Sequence, residues 1–192
     1  MNINKFTQKS MEAVQNCEKL AYEFGNQEID QEHLLKSLID QEDGLILKLI
    51  EKMEINTAHF SNRVTEDLNK KVKVQGGDLR ISNDLNKVLI TAEDEAKAMG
   101  DEYVSVEHLF LSLLKYPNKA MKELFKEYGI TRDRFLTALS TVRGNQRVTS
   151  DNPEATYDTL QKYGTDLVEK ARSQKLDPVI GRDAEIRNVI RI

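Results

Sequence analysis

Glu32-His33-Leu34-Leu35-Lys36-Ser37-Leu38 returns 75 positions later as Glu107-His108-Leu109-Phe110-Leu111-Ser112-Leu113. The same offset holds without a gap on both sides. Upstream it pairs Glu18 with Glu93, Ala21 with Ala96 and Gly25 with Gly100; downstream it pairs Leu49 with Leu124, Ile55 with Ile130 and Phe60 with Phe135. Similar residues fill the gaps: Thr7 with Ser82, Val14 with Leu89, Ile29 with Val104. One fixed offset from about residue 6 to residue 139 marks a tandem duplication. Two copies are too few for an open solenoid, so the pair is expected to close on itself as one pseudo-two-fold globule.

Periodicity makes each copy helical. Phe6, Val14, Cys17, Leu20, Ala21 and Phe24 recur mostly at three- and four-residue steps, and Gly25 supplies a left-handed stop. Cys17 reads as a small buried apolar residue of that stripe. Asp30, Asn56, Ser82, Ser105 and Thr131 stand where helix N-caps are needed. Asp43-Gly44 and Tyr116-Pro117-Asn118 break helices, and Lys70 to Asp78 reads as an exposed connector. No stretch alternates as a half-buried strand does. The expected fold is all-α: about eight helices, in two four-helix units covering residues 1–75 and 76–143.

From Gly144 to Asp158 the apolar content collapses, which predicts a flexible linker over residues 144–158. A short helix over about Thr159 to Ser173 follows, and another begins near Asp183. The chain has 192 residues, a net charge of −4 and one cysteine. The acidic balance argues against a nucleic-acid footprint, the lone cysteine excludes an internal disulfide, and no segment is apolar enough to span a bilayer. A soluble cytosolic protein is expected.

The three histidines lack metal-ligand spacing, and no nucleophile, base and acid are legible together. The carboxylates beside two of them are better candidates. Glu32 and Glu107 each fall in the first turn of a helix, where a negative charge is favoured. Thr7 and Ser82 begin the matching first helices. If each hydroxyl approaches its own copy's glutamate, the surface carries two polar notches able to hold peptide backbone, a cationic side chain or a phosphorylated arginine. Asp101, directly after Gly100, joins the second notch; its counterpart in the first copy is Asn26. Thr7, Asp101 and Glu107 are expected to be exposed, at a rim.

Residues 1–143, through Phe6-Thr7 and the two Glu-His-Leu blocks, resemble the double-repeat N-terminal domain of the Clp unfoldase ATPases. Arg143-Gly144-Asn145-Gln146-Arg147-Val148-Thr149, Lys162-Tyr163-Gly164-Thr165-Asp166-Leu167 and Lys175 through Arg182 resemble the disaggregase (ClpB) branch of that family. The resemblance implies that residues 159–192 are the incomplete start of a first AAA+ ATPase module. It further implies a hexameric parent that threads aggregated polypeptide with ATP, with the DnaK chaperone system as partner. By family pattern Thr7, Asp101 and Glu107 match substrate-engaging positions, and Val179 and Ile180 match an adenine-flanking segment; Glu32, in the equivalent notch of the first copy, is a further substrate-binding candidate. No phosphate loop is present, because Ile186 stands where the second glycine after Gly181 would be. The chain is therefore not expected to hydrolyse ATP or bind a cofactor itself. Two competing readings stand beside this one. The first is an adaptor- or phosphoarginine-binding N-domain of a protease-associated Clp protein. The second is a helical DNA-binding regulator supported by Arg132, Arg134, Arg143 and Arg147.

Overall fold

The computed structural model describes residues 2–157. The chain divides into two units after Tyr157, so the described part is the first unit, and the sequence readings on residues 158–192 lie outside it.

A 3₁₀ turn, Ile3–Lys5, precedes eight α-helices: α1 (Gln8–Phe24), α2 (Gln31–Ile39), α3 (Leu45–Lys52), α4 (Thr57–Lys70), α5 (Asn83–Ala98), α6 (Val106–Lys115), α7 (Lys119–Tyr128) and α8 (Arg132–Arg143). The first four and the last four correspond one to one through the 75-residue offset. Their caps follow the sequence closely. Thr7, Asn56, Ser82, Asn118 and Thr131 each accept a backbone N–H of their helix's first turn, satisfying donors that the helix itself leaves free. Gly25 ends α1 with φ 69°, a conformation that costs a residue without Cβ nothing.

The two copies pack through equivalent contacts. Ser37 Oγ donates to Ala13 O at 2.7 Å, and its counterpart Ser112 donates to Val88 O at 2.8 Å. Both bonds tie the second helix of a copy to its first. One core runs through both copies, from Leu34, Leu38, Ile46, Leu49 and Phe60 to Leu109, Phe110, Leu113 and Phe135. Phe110 and Phe135 stack with ring centroids 4.5 Å apart, a favoured aromatic separation.

Two departures from the sequence reading position the site. First, there are two-residue strands, β1 (Glu28–Ile29) and β2 (Arg80–Ile81), paired in parallel. Phe6 and Val104 form the symmetry-related parallel bridge. Segments this short carry no alternation to detect. Each joins the entry to one copy's first helix with the residues just before the other copy's second helix.

Second, residues 144–157 are not a free linker. Val148 N donates to Asp101 Oδ1 at 2.9 Å and Val148 O accepts from Glu102 N at 2.9 Å. Asp151 O accepts from Gln8 N at 2.8 Å. Val148 and Tyr157 are buried. The boundary expected at residue 143 therefore moves to 157. Three apolar anchors, Val148, Pro153 and Tyr157, suffice to dock a segment whose mean composition is polar. Among the described residues no helix is long and apolar enough to cross a membrane.

Candidate functional site

The polar notches exist, but their partners are crossed between copies. Ser82 Oγ donates to Asp30 Oδ1 at 2.8 Å, and Ser82 N to Ile29 O at 2.9 Å. Thr7 N donates to Val104 O at 3.0 Å, and Ser10 Oγ donates to the same carbonyl at 2.7 Å. Each first helix thus begins against the other copy's second helix, not against its own. The sequence fixes which residues are equivalent, whereas the parallel pairings of Phe6 with Val104 and Ile81 with Ile29 decide which copy supplies the partner.

The histidines of the two marker blocks are caps. His33 Nδ1 accepts from Asp30 N, and His108 Nδ1 from Ser105 N, both at 2.9 Å. Each replaces the glutamate of a capping box. Because Nδ1 accepts, Nε2 carries the proton in the neutral ring. That N–H donates to Asn26 Oδ1 at 3.0 Å in the first copy and to Asp101 Oδ2 at 2.7 Å in the second. The Asn26/Asp101 difference noted in the sequence is therefore a difference in what receives the histidine proton. Burial, reinforced by Lys71, lowers the His33 pKa to about 4.

In the second notch Arg143 reaches both Asp101 and Glu107, the latter at 3.4 Å. Burial pushes the Asp101 carboxyl up, but the bonds from His108, Arg143 and Val148 N outweigh it and hold the pKa below the usual value. In the first notch Lys71 Nζ lies 3.1 Å from Asp30 and 3.3 Å from Glu32, and Asn118 Nδ2 donates to Glu32 at 3.2 Å. Burial and the neighbouring Asp30 carboxylate raise the Glu32 pKa despite Lys71.

These groups are not an exposed rim. Thr7, Glu32, Asp101 and Glu107 are all buried, at 0%, 4%, 8% and 0% exposure. The physical reason is the counter-cation. Arg143 and Lys71, at the ends of α8 and α4, fold over the carboxylates and neutralise them inside the structure, which makes burial tolerable. The sequence reading missed this role of Arg143, which it offered only to nucleic acid; the available signal was its place on the inward stripe Phe135, Ala138, Leu139, Val142, where a charge needs a buried partner. Val179 and Ile180, the adenine-flanking residues, lie outside the described residues.

Beside the Thr7–Val104 junction opens a cleft of about 510 Å³ that includes Ile3, Phe6, Met11, Tyr103 and Asp151. Ile3 is 51% exposed. On α5, Ile90 is also exposed, at the position equivalent to Gln15 of this cleft. Three of the four arginines offered for nucleic acid are engaged within the protein. Arg132 pairs with Glu95, Arg134 binds the carbonyls of Tyr128 and Gly129, and Arg143 is buried. Among the described residues no group of three or more acidic, histidine or cysteine side chains is placed to hold a metal ion.

Comparison with known proteins agrees with this architecture. Chaperone protein ClpB of Nitratidesulfovibrio vulgaris is 48% identical over 198 aligned positions, covering 100% of this chain and 23% of that protein. ClpB of Bacillus anthracis is 43% identical with the same coverage. The chain thus spans 23% of the length of these curated relatives. The Hsp104 N-terminal domain from Candida albicans superposes with a TM-score of 0.67 at 27% identity, over 77% of this chain and 97% of that one. The ClpV N-domain in its complex with a VipB peptide shares the fold, with a TM-score of 0.58 at 18% identity over 77% of this chain and 92% of that one. Residues 5–128 match the Clp repeat (R) N-terminal domain; the chain belongs to that family.

Proposed function

We propose that this chain is the substrate-engaging N-terminal module of an ATP-dependent disaggregase of the ClpB type. The observation that carries the reading is the 48% identity to a ClpB chaperone along the whole chain. The parent is an AAA+ ATPase that binds ATP in modules beyond this sequence, assembles as a homohexamer in the cytoplasm and works with the DnaK system on aggregated polypeptides. In this reading the module meets exposed apolar peptide. The cleft of Ile3, Phe6, Met11 and Tyr103 offers the apolar contact that such binding requires, since apolar area supplies affinity and polar rims supply orientation. Thr7, Asp101 and Glu107 act beneath this surface, holding the junction that shapes the cleft.

The geometry weighs against a phosphoarginine site. Glu32 and Glu107, the carboxylates that would take a guanidinium, are already paired with Lys71 and Arg143. Titrating the chain with a permanently unfolded protein tests the proposal. Saturable binding that a natively folded protein does not compete away, and that free phosphoarginine leaves unchanged, is expected. Absence of binding would overturn the substrate-engaging role, and displacement by phosphoarginine would restore the alternative.

A further inference from the structure

The sequence between α8 and residue 158 reads as tether, yet the structure shows it fastened to the domain. We infer that residues 144–157 are a releasable latch, docked through Asp101, Glu102 and Gln8 and able to detach as a unit. This inference does not depend on the proposed chaperone role.

The fastening is specific. Both backbone polar groups of Val148 are used, N–H to Asp101 Oδ1 and C=O from Glu102 N–H, at 2.9 Å each. Arg143 Nε donates to Gln146 O at 2.6 Å, tying the first turn of the segment to the Asp101–Arg143–Glu107 cluster. Asp151 then holds Gln8 twice, main chain to main chain at 2.8 Å and carboxylate to side-chain amide at 3.0 Å. Val148, at 0% exposure, and Tyr157, at 3%, are its deepest residues.

The fastening is also incomplete, which is what makes release accessible. Gly144, Asn145, Arg147, Thr149, Ser150, Asp151 and Asn152 remain exposed between the anchors. Among the described residues the buried Tyr157 hydroxyl and Glu107 Oε2 have no hydrogen-bond partner, and the Glu107 charge acts on Tyr157. Burying the unpaired Tyr157 hydroxyl opposes docking, and water would satisfy it on release. Asp101 has partners besides Val148 N, namely His108 and Arg143, so the second notch keeps its charge pairing when the segment leaves. Local opening of such a segment, with few apolar contacts and many exposed groups, lies at the low end of a protein's range of opening free energies. Residues 153–157 are helical, so on release the non-helical stretch 144–152 can extend by up to ~30 Å. The latch therefore sets whether the chain toward residue 158 leaves from the domain surface or from the end of a long tether.

Amide exchange and trypsin cleavage on the 192-residue chain test this, each normalised to a peptide spanning residues 140–157. In the unsubstituted chain the Val148 and Glu102 amides exchange slowly, and the Arg147–Val148 bond is cut more slowly than in the peptide. Val148→Ser, a change confined to the latch, raises Glu102 exchange and cleavage at Arg147 by roughly tenfold, while the amides of α2 and α6 keep their protection. Tyr157→Phe, which removes the unpaired hydroxyl, slows both several-fold. Three results would each overturn the inference: cleavage of the unsubstituted chain at the peptide's rate, loss of α2 and α6 protection in step with Glu102, or no change in either variant.

Discussion

Arg143, the last residue of α8, closes its guanidinium on the Asp101 carboxylate, and the two side chains are only 4% and 0% exposed. An ion pair this deep makes a different prediction from an exposed rim group. A surface substitution stays within about 0.5 kcal/mol, whereas removing one partner of a buried pair costs about 3–5 kcal/mol because the other charge is left behind. Glu107 remains as a partner for Arg143, so Asp101→Ala belongs near the lower figure, about 3 kcal/mol. Urea unfolding of the variant measures it, and a loss below about 1 kcal/mol would return Asp101 to the surface.

His33 predicts a pH dependence. Its pKa falls from 6.5 unfolded to about 4 folded, through burial and then Lys71. Between those values the unfolded state binds the extra proton. The stability from neutral His33 is thus fully present above pH 6.5 and is lost as pH falls toward about 4. The shift is worth about 3 kcal/mol across that window. Glu32, whose pKa is raised by burial and Asp30, works in the opposite direction above its unfolded value and offsets part of the slope. The difference between the parent chain and His33→Gln isolates the histidine. Denaturant midpoints at pH 7 and pH 5 should converge for the variant and separate for the parent.

Glu54 follows α3 at φ 60°, and its counterpart Gly129 follows α7 at φ 62°. The two copies thus share a left-handed turn, and only the second places glycine, the residue suited to it, there. Glu54 is exposed, so its side chain contributes little to offset the strain. Glu54→Gly should stabilise the chain by about 1 kcal/mol, the cost of the left-handed conformation to a residue with a Cβ. The expected reading is a rise in melting temperature, and a fall would show that the entropy lost by glycine on folding outweighs the strain relieved.

Much of this was legible in the sequence, for reasons particular residues make plain. The 75-residue offset and the caps at Thr7, Asp30, Asn56, Ser82, Ser105 and Thr131 fixed eight helices because capping and periodicity are local. Which copy's helix start meets which second helix is not local. It depends on the pairings of Phe6 with Val104 and Ile29 with Ile81, and single bridges leave no pattern. Exposure at the notches was misread for a related reason: a carboxylate at a helix start is as suited to the surface as to a buried cap. Only its cation, 36 residues away between Glu107 and Arg143, decides the matter. Docking of residues 144–157 escaped because Val148 and Tyr157 are isolated apolar residues in polar sequence.

Burial of Asp101 and exposure of Ile3 make a paired prediction about polypeptide binding. Ile3 is half exposed in the cleft beside Tyr103 and is not a member of the buried core. Ile3→Ser with Tyr103→Ser removes apolar area from that cleft at a stability change of about 0.5 kcal/mol or less per site. Affinity for a permanently unfolded protein should fall severalfold with little movement in melting temperature, since each side chain carries about 1–2 kcal/mol of transferable apolar area. Asp101→Ala should behave in the reverse way: a large drop in melting temperature, with affinity falling only as the folded fraction falls. If Asp101→Ala instead abolishes binding under conditions where the chain is fully folded, the carboxylate touches the substrate and the cleft must open inward to reach it. If the double serine variant binds as the parent does, the apolar contact lies elsewhere, and the exposed Ile81 and Ile90 on the other copy's first helix and its entry strand become the surface to change.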